Sequence, residues 1–138
     1  MKYRRKKIFV TQDKTKYVWC YLFENNKEMN LVYKEMCKQM GERYNRVLGV
    51  SVHSTHKYLS NNKVHPLTGS VLLSKQHLGA ALVAHEFTHA CLWAFKHHKN
   101  KKQYPLVIKN MAEEETLCQN QSVAIKMFWN WYYKIEKA

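Results

Sequence analysis

The sequence has few helix breakers. Only 4 glycines and 2 prolines punctuate its 138 residues, which argues against a loop-rich fold and for long regular elements. Its 4 cysteines, Cys20, Cys37, Cys91 and Cys118, form no Cys-x-x-Cys pair, so a cysteine-based zinc knuckle is not expected. Long apolar runs are missing too. The basic opening is followed by only Ile8-Phe9-Val10, shorter than the apolar core of a signal peptide. The longest apolar stretch, around residues 78–84, is far too short to cross a bilayer. These absences lead to the expectation of a cytoplasmic chain with reduced thiols and no membrane contact.

Acidic residues are scarce: 10 Asp and Glu stand against 23 Lys and Arg, a formal net charge of +13. A positive field of that size is an invitation to polyanions. The cations cluster at residues 2–7 and 96–102, with Tyr3, Phe9, Tyr17 and Tyr104 close by in sequence. Bases stack on such rings while phosphates meet the cations, so nucleic acid is an expected partner.

Apolar residues are plentiful. Hydrophobic residues make up 46% and aromatics 13%, enough to bury one core. No repeat, low-complexity segment or linker divides the chain, so residues 1–138 are read as a single domain. Residues 4–24 read as one or two strands ending at the turn formers Asn25-Asn26. Residues 27–40 read as a helix, with Met29, Val32, Tyr33, Met36 and Met40 at helical spacing and Gly41 as C-cap. Residues 46–54 read as a strand, 56–69 as a loop, and 70–74 as a short apolar strand placed at a sheet edge. A helix is expected from about residue 75 to 98. A loop ends at Pro105, and a second long helix runs from about 106 to 135. The fold class is α+β: a mostly N-terminal sheet packed on two helices.

The first of those helices contains His85-Glu86-Phe87-Thr88-His89. Four-residue spacing sets both imidazoles on one helix face, as chelation of a single metal ion requires. Glu86 projects beside them, within reach of a water at the metal, and is read as the general base. Leu78, Leu82, His85, His89 and Leu92 form a 4-3-4-3 stripe, which predicts that the histidines point inward. The second helix offers a matching stripe of Met111, Glu114 or Glu115, Cys118, Ser122, Ile125, Trp129 and Tyr132. Helix geometry leaves Glu114 and Glu115 both open as the third ligand and slightly favours Glu114. A third histidine six residues after His89 is excluded, because that position is Phe95.

The sequence "HEFTH" with the downstream "EETLCQNQS" resembles the gluzincin branch of zinc metallopeptidases. The likeness is to the minimal members: minigluzincins, ImmA/IrrE-type peptidases and the peptidase domain of plasmid antirestriction proteins. It covers roughly residues 68–132. The resemblance implies one Zn2+ held by His85, His89 and Glu115, because Cys118, Gln119 and Ser122 then fall where such families place a small, a polar and a small residue. Gln119 departs from the more usual Asp or Asn. The resemblance further implies a zincin-like domain and hydrolysis of peptide bonds. It also makes "GSVLLSKQHL" an edge strand that pairs with an extended protein or peptide substrate. For the oxyanion, His53, His56, Tyr104, Tyr132 and Tyr133 are candidates by chemistry only. The alternative expectation is a basic, nucleic-acid-associated protein of the same fold in which the zinc is mainly structural.

Overall fold

In a computed structural model, which describes residues 2–54, 65–98 and 110–137, the chain is an α+β structure. A four-stranded sheet is formed by β1 (Tyr3–Phe9), β2 (Tyr17–Phe23), β3 (Gly49–His53) and β4 (Leu67–Ser74). The helices are α1 (Asn26–Met40), α2 (Ala80–His98) and α3 (Met111–Lys137). Strand order is β1-β2-β4-β3, with β2 and β4 parallel and both outer pairs antiparallel.

Residues 4–24 resolve into two strands of a hairpin. Thr11 holds the connection by accepting from Thr15 and Lys16 N–H at 3.1 Å each, and Lys14 takes the left-handed conformation. Helix α1 keeps the expected boundaries because both caps are encoded. The Asn25 side chain accepts from Glu28 N–H at 2.9 Å. Gly41, at φ 69°, turns the chain out while Glu42 N–H donates to Cys37 O at 2.8 Å; a left-handed residue there is what glycine supplies without strain. Buried Asn30 then fixes the following connection. Its Nδ2 donates to the carbonyls of Asn26 and Val47, and its Oδ1 accepts from Val47 N–H and the Tyr44 hydroxyl, all within 3.0 Å. All four of its hydrogen-bonding positions are used, and they set Val47 two residues ahead of β3.

The core lies on both faces of the sheet. On one face Ile8, Val18, Cys20, Leu22, Val71 and Leu73 meet Val83, Phe87, Ala90, Cys91 and Ala94 of α2 and Ala124 and Phe128 of α3. On the other, α1 sets Met29 against Phe23 and Leu72. All four cysteines are free thiols, and only Cys118 is exposed. Burial pushes the Cys20 thiol up strongly and that of Cys91 to about 12, so both stay protonated and unreactive at neutral pH. Among the described residues no helix is long and apolar enough to cross a membrane.

Four expectations are corrected. β4 is an interior strand between β2 and β3, and among the described residues β1 and β3 form the two edges. The physical sign was present, since Val71, Leu72 and Leu73 are buried on alternating faces, as a strand covered on both sides must be. The helix expected from residue 75 is a single 3-10 turn, Lys75–His77, then extended Leu78; α2 begins at Ala80, and Gly79 O accepts its first bond from Val83 N–H. The stripe of α2 that faces the core is Val83, Phe87, Ala90 and Ala94, while His85 and His89 are exposed. His85 stands two residues past Val83, about 200° round the helix. Of the loop expected over 56–69, residues 56–64 lie outside the described residues, and Leu67, Thr68 and Gly69 belong to β4; the start of the last helix at Pro105 and 106–109 also lies outside the described residues.

Candidate metal centre

Helix α2 presents three faces. One carries the core stripe. A second touches α3, where the Gln121 amide donates to Thr88 Oγ1 at 2.8 Å and Thr88 donates in turn to Ala84 O at 2.7 Å. The third meets β3 residue by residue. Alternate residues of a strand share a face, so Gly49, Ser51 and His53 line up against Leu82, Glu86 and Trp93. A Cβ on Gly49 would meet the Leu82 methyls at 3.2 Å. Ser51 Oγ lies 2.9 Å from Glu86 Oε1 and 2.8 Å from Glu86 O. The His53 ring stacks on Trp93 at 4.9 Å, and Trp93 stacks on His89 at 6.3 Å.

Between these faces the ligand-bearing atoms of His85, Glu86 and His89 all lie within 4.8 Å of one another, a group that could hold a metal ion. The two histidine Nε2 atoms face each other at 3.3 Å, with the rings at 81°. Two imidazole nitrogens about 2.05 Å from one tetrahedral ion would stand about 3.3 Å apart, so the spacing of the pair matches that of two ligands to a shared ion. The chemistry of the three donors differs. Both imidazoles are exposed and open to solvent, whereas Glu86 is 5% exposed and tied to the edge strand. A buried carboxylate needs a donor to offset its desolvation, and Ser51 supplies it.

The structure does not bring Glu114 or Glu115 into this group. Both are exposed on α3, and Glu115 Oε1 accepts from the Gln119 amide at 3.1 Å. Glu115 is six residues before Gln121, about 9 Å along the α3 axis from the point where that helix touches Thr88. The inward stripe expected for α3 is also displaced. Met111, Cys118 and Ser122 are exposed, and Asn120, Ala124 and Phe128 are buried instead. Asn120 is tolerated inside because its Oδ1 accepts from Gln12 N–H at 2.7 Å; a polar residue at an inward position hid this face from a reading of apolar spacing. Of the oxyanion candidates, His53 lies beside the centre, Tyr132 and Tyr133 belong to the aromatic cluster of α3 with Trp129, and His56 and Tyr104 lie outside the described residues.

Ser51 was missed. A serine in a short alternating strand has no signature of its own, and only the pairing of β3 with α2 gives it a role. A concave space of about 580 Å3 borders Ser51, Val52 and His53 and is walled by Tyr33, Gln39, Met40, Glu42 and Arg43. It opens onto the strand whose second edge is unpaired among the described residues.

No protein-family model matches the chain, and no curated protein or solved structure matches it significantly.

Proposed function

We propose that the protein is a zinc-dependent endopeptidase of the gluzincin type, with a zincin-like fold, His85 and His89 as ligands and Glu86 as general base. The observation that carries this reading is the 3.3 Å separation of the two exposed imidazole nitrogens beside a buried, anchored carboxylate. A bound zinc ion would supply Lewis acidity toward a peptide carbonyl and toward water. The chain's own part is distinct. The β3 edge offers main-chain donors and acceptors to an extended peptide, and the concave space beside it accommodates side chains. Glu86 accepts the proton of the attacking water and returns it to the leaving amine, while Ser51 holds its carboxylate in place.

The third protein ligand is proposed to be Glu115. Its support is the pattern Glu115, Cys118, Gln119, Ser122 along one exposed face of α3 and the bond by which Gln119 orients the carboxylate; an outer partner of this kind is usual for a metal-binding carboxylate.

The test is metal analysis of purified protein together with cleavage of an unfolded polypeptide. One zinc per chain is expected, with chelation stopping cleavage and added zinc restoring it. His85→Ala and His89→Ala should each abolish retention of the metal, Glu115→Ala should weaken it by about 10-fold or more, and Glu114→Ala should leave it unchanged. Wild-type protein that neither retains zinc nor cleaves would overturn the reading. Loss of zinc from Glu114→Ala with retention by Glu115→Ala would overturn the ligand choice.

A further inference from the structure

Strand β1 presents four consecutive cations, Arg4, Arg5, Lys6 and Lys7, all exposed. Among the described residues the ion pairs join Lys75 to Glu24 and Glu136, so none of these four has a carboxylate partner there. Alternation sorts them onto two faces. Arg4 and Lys6 share the side of buried Ile8, toward α3. Arg5 and Lys7 share the opposite side with Tyr3 and Phe9, beside Tyr17, Trp19, Tyr21 and Phe23 of β2.

That second side is a mixed ladder of rings and cations. The Arg5 guanidinium lies 4.4 Å above the Trp19 ring, and Lys7 Nζ lies 4.3 Å above Tyr17. Tyr3 contacts Tyr21 and Phe23 at 5.5 Å, and Tyr17 meets Trp19 edge-on at 6.1 Å. Helix α1 covers the Tyr21 and Phe23 end of the ladder. Tyr17 and Trp19 pack in neither core cluster and are half-buried.

A charged edge strand has a simpler use, since cations keep a free edge from pairing with another sheet. That accounts for the lysines and arginines. It does not account for large aromatic rings laid under two of them where, among the described residues, no helix covers the sheet, and where small polar residues would serve the sheet as well. The two rings left free of α1, Tyr17 and Trp19, have their centres 6.1 Å apart and stand nearly perpendicular, so each can take one base but the two cannot hold a continuous stack. The surface therefore suits bases splayed one to a ring, with Arg5 and Lys7 swinging to the phosphates between them.

We propose that the β1–β2 face is a docking surface for single-stranded nucleic acid, separate from the metal centre and independent of the peptidase reading. Rings and cations read neither base identity nor sugar, so the binding is non-specific and treats DNA and RNA alike.

Fluorescence anisotropy with labelled single-stranded DNA and RNA of about 12 nucleotides tests this, with a duplex of the same length and polyglutamate as comparisons. Both single strands should bind with similar affinity and more tightly than the duplex, and polyglutamate should compete poorly. The exposed pair Arg5→Gln/Lys7→Gln should weaken binding at least 10-fold and flatten the plot of log K against log salt by about 1.4, two contacts at about 0.7 each. Trp19→Phe, which keeps a ring, should retain binding but lose most of the tryptophan quenching that accompanies it. Unchanged affinity in the double variant, equal affinity for the duplex, effective competition by polyglutamate, or undiminished quenching in Trp19→Phe would each overturn the proposal.

Discussion

If the protein is the zinc peptidase proposed, Glu86→Gln should leave the fold and zinc binding intact and slow peptide hydrolysis by about 10²–10⁴-fold, the usual contribution of a positioned general base. The substitution is nearly isosteric. A glutamine oxygen can still accept from Ser51 Oγ, which stands 2.9 Å from Glu86 Oε1, so the buried site keeps its hydrogen bond and stability should change little. An amide cannot take up the water's proton at neutral pH. Zinc content and turnover measured on the same sample separate the roles. Retained zinc with lost turnover supports Glu86 as base. Zinc lost together with turnover would make Glu86 a ligand, an arrangement its atoms are close enough to permit. Turnover at the wild-type rate would remove it from the mechanism.

Gly69→Ala should lower stability by about 3 kcal/mol, at the upper end for forced overpacking, or about 10 °C in Tm for a domain of this size. Gly69 pairs with His53 across the β3–β4 ladder. A Cβ there would collide with Val52 O and come within 3.2 Å of the Trp93 ring and 3.3 Å of His53 Cα. The nearest obstacle is backbone, which cannot swing aside, so β3 must shift away from β4. Gly49→Ala is the control. The nearest atoms to its Cβ would be the Leu82 methyls and Leu73 Cδ2, at 3.2–3.3 Å, and side-chain ends can yield, so its loss should be about 1 kcal/mol or less. Thermal melts followed by circular dichroism give both numbers. A Gly69→Ala protein melting within about 2 °C of wild type would mean that the β3–β4 approach is looser than described. Because β3 bears Ser51, the same variant should lose hydrolytic activity out of proportion to any loss of zinc.

The elements of this chain were legible where a residue type dictates local geometry. Asn25 and Gly41 mark the ends of α1, and the apolar residues of β2 and β4 mark strands. The pairing of His85 with His89 follows from helical repeat alone. What could not be read was which way each helix faces. Helix α2 carries two apolar stripes, one through Leu82 and Leu92 and one through Val83, Phe87, Ala90 and Ala94. Periodicity ranks them equally. The fold uses the second, whose small alanines, buried without residual exposure, let neighbouring elements come close. That choice puts the histidines at the surface, where a metal ion can reach them. Strand order was also beyond a local reading. Placing β4 between β2 and β3 joins segments about 50 and 20 residues apart, contacts that no short window records. Glu115 stands differently: its assignment came from a pattern of residue types, and the structure leaves it outside the histidine group.

The hydroxyl of Ser51 has one hydrogen and two acceptors within reach, Glu86 Oε1 at 2.9 Å and Glu86 O at 2.8 Å. While the carboxyl group is ionised, that hydrogen points to Oε1. Once Oε1 has taken a proton it becomes a donor to Ser51 Oγ, and the serine hydrogen can turn to the backbone carbonyl. A rotation about one C–O bond thus satisfies both protonation states of Glu86 with no movement of a heavy atom. The edge strand thereby leaves the buried Glu86 carboxyl group hydrogen-bonded in either form, as the proposed role of receiving and releasing a proton would require.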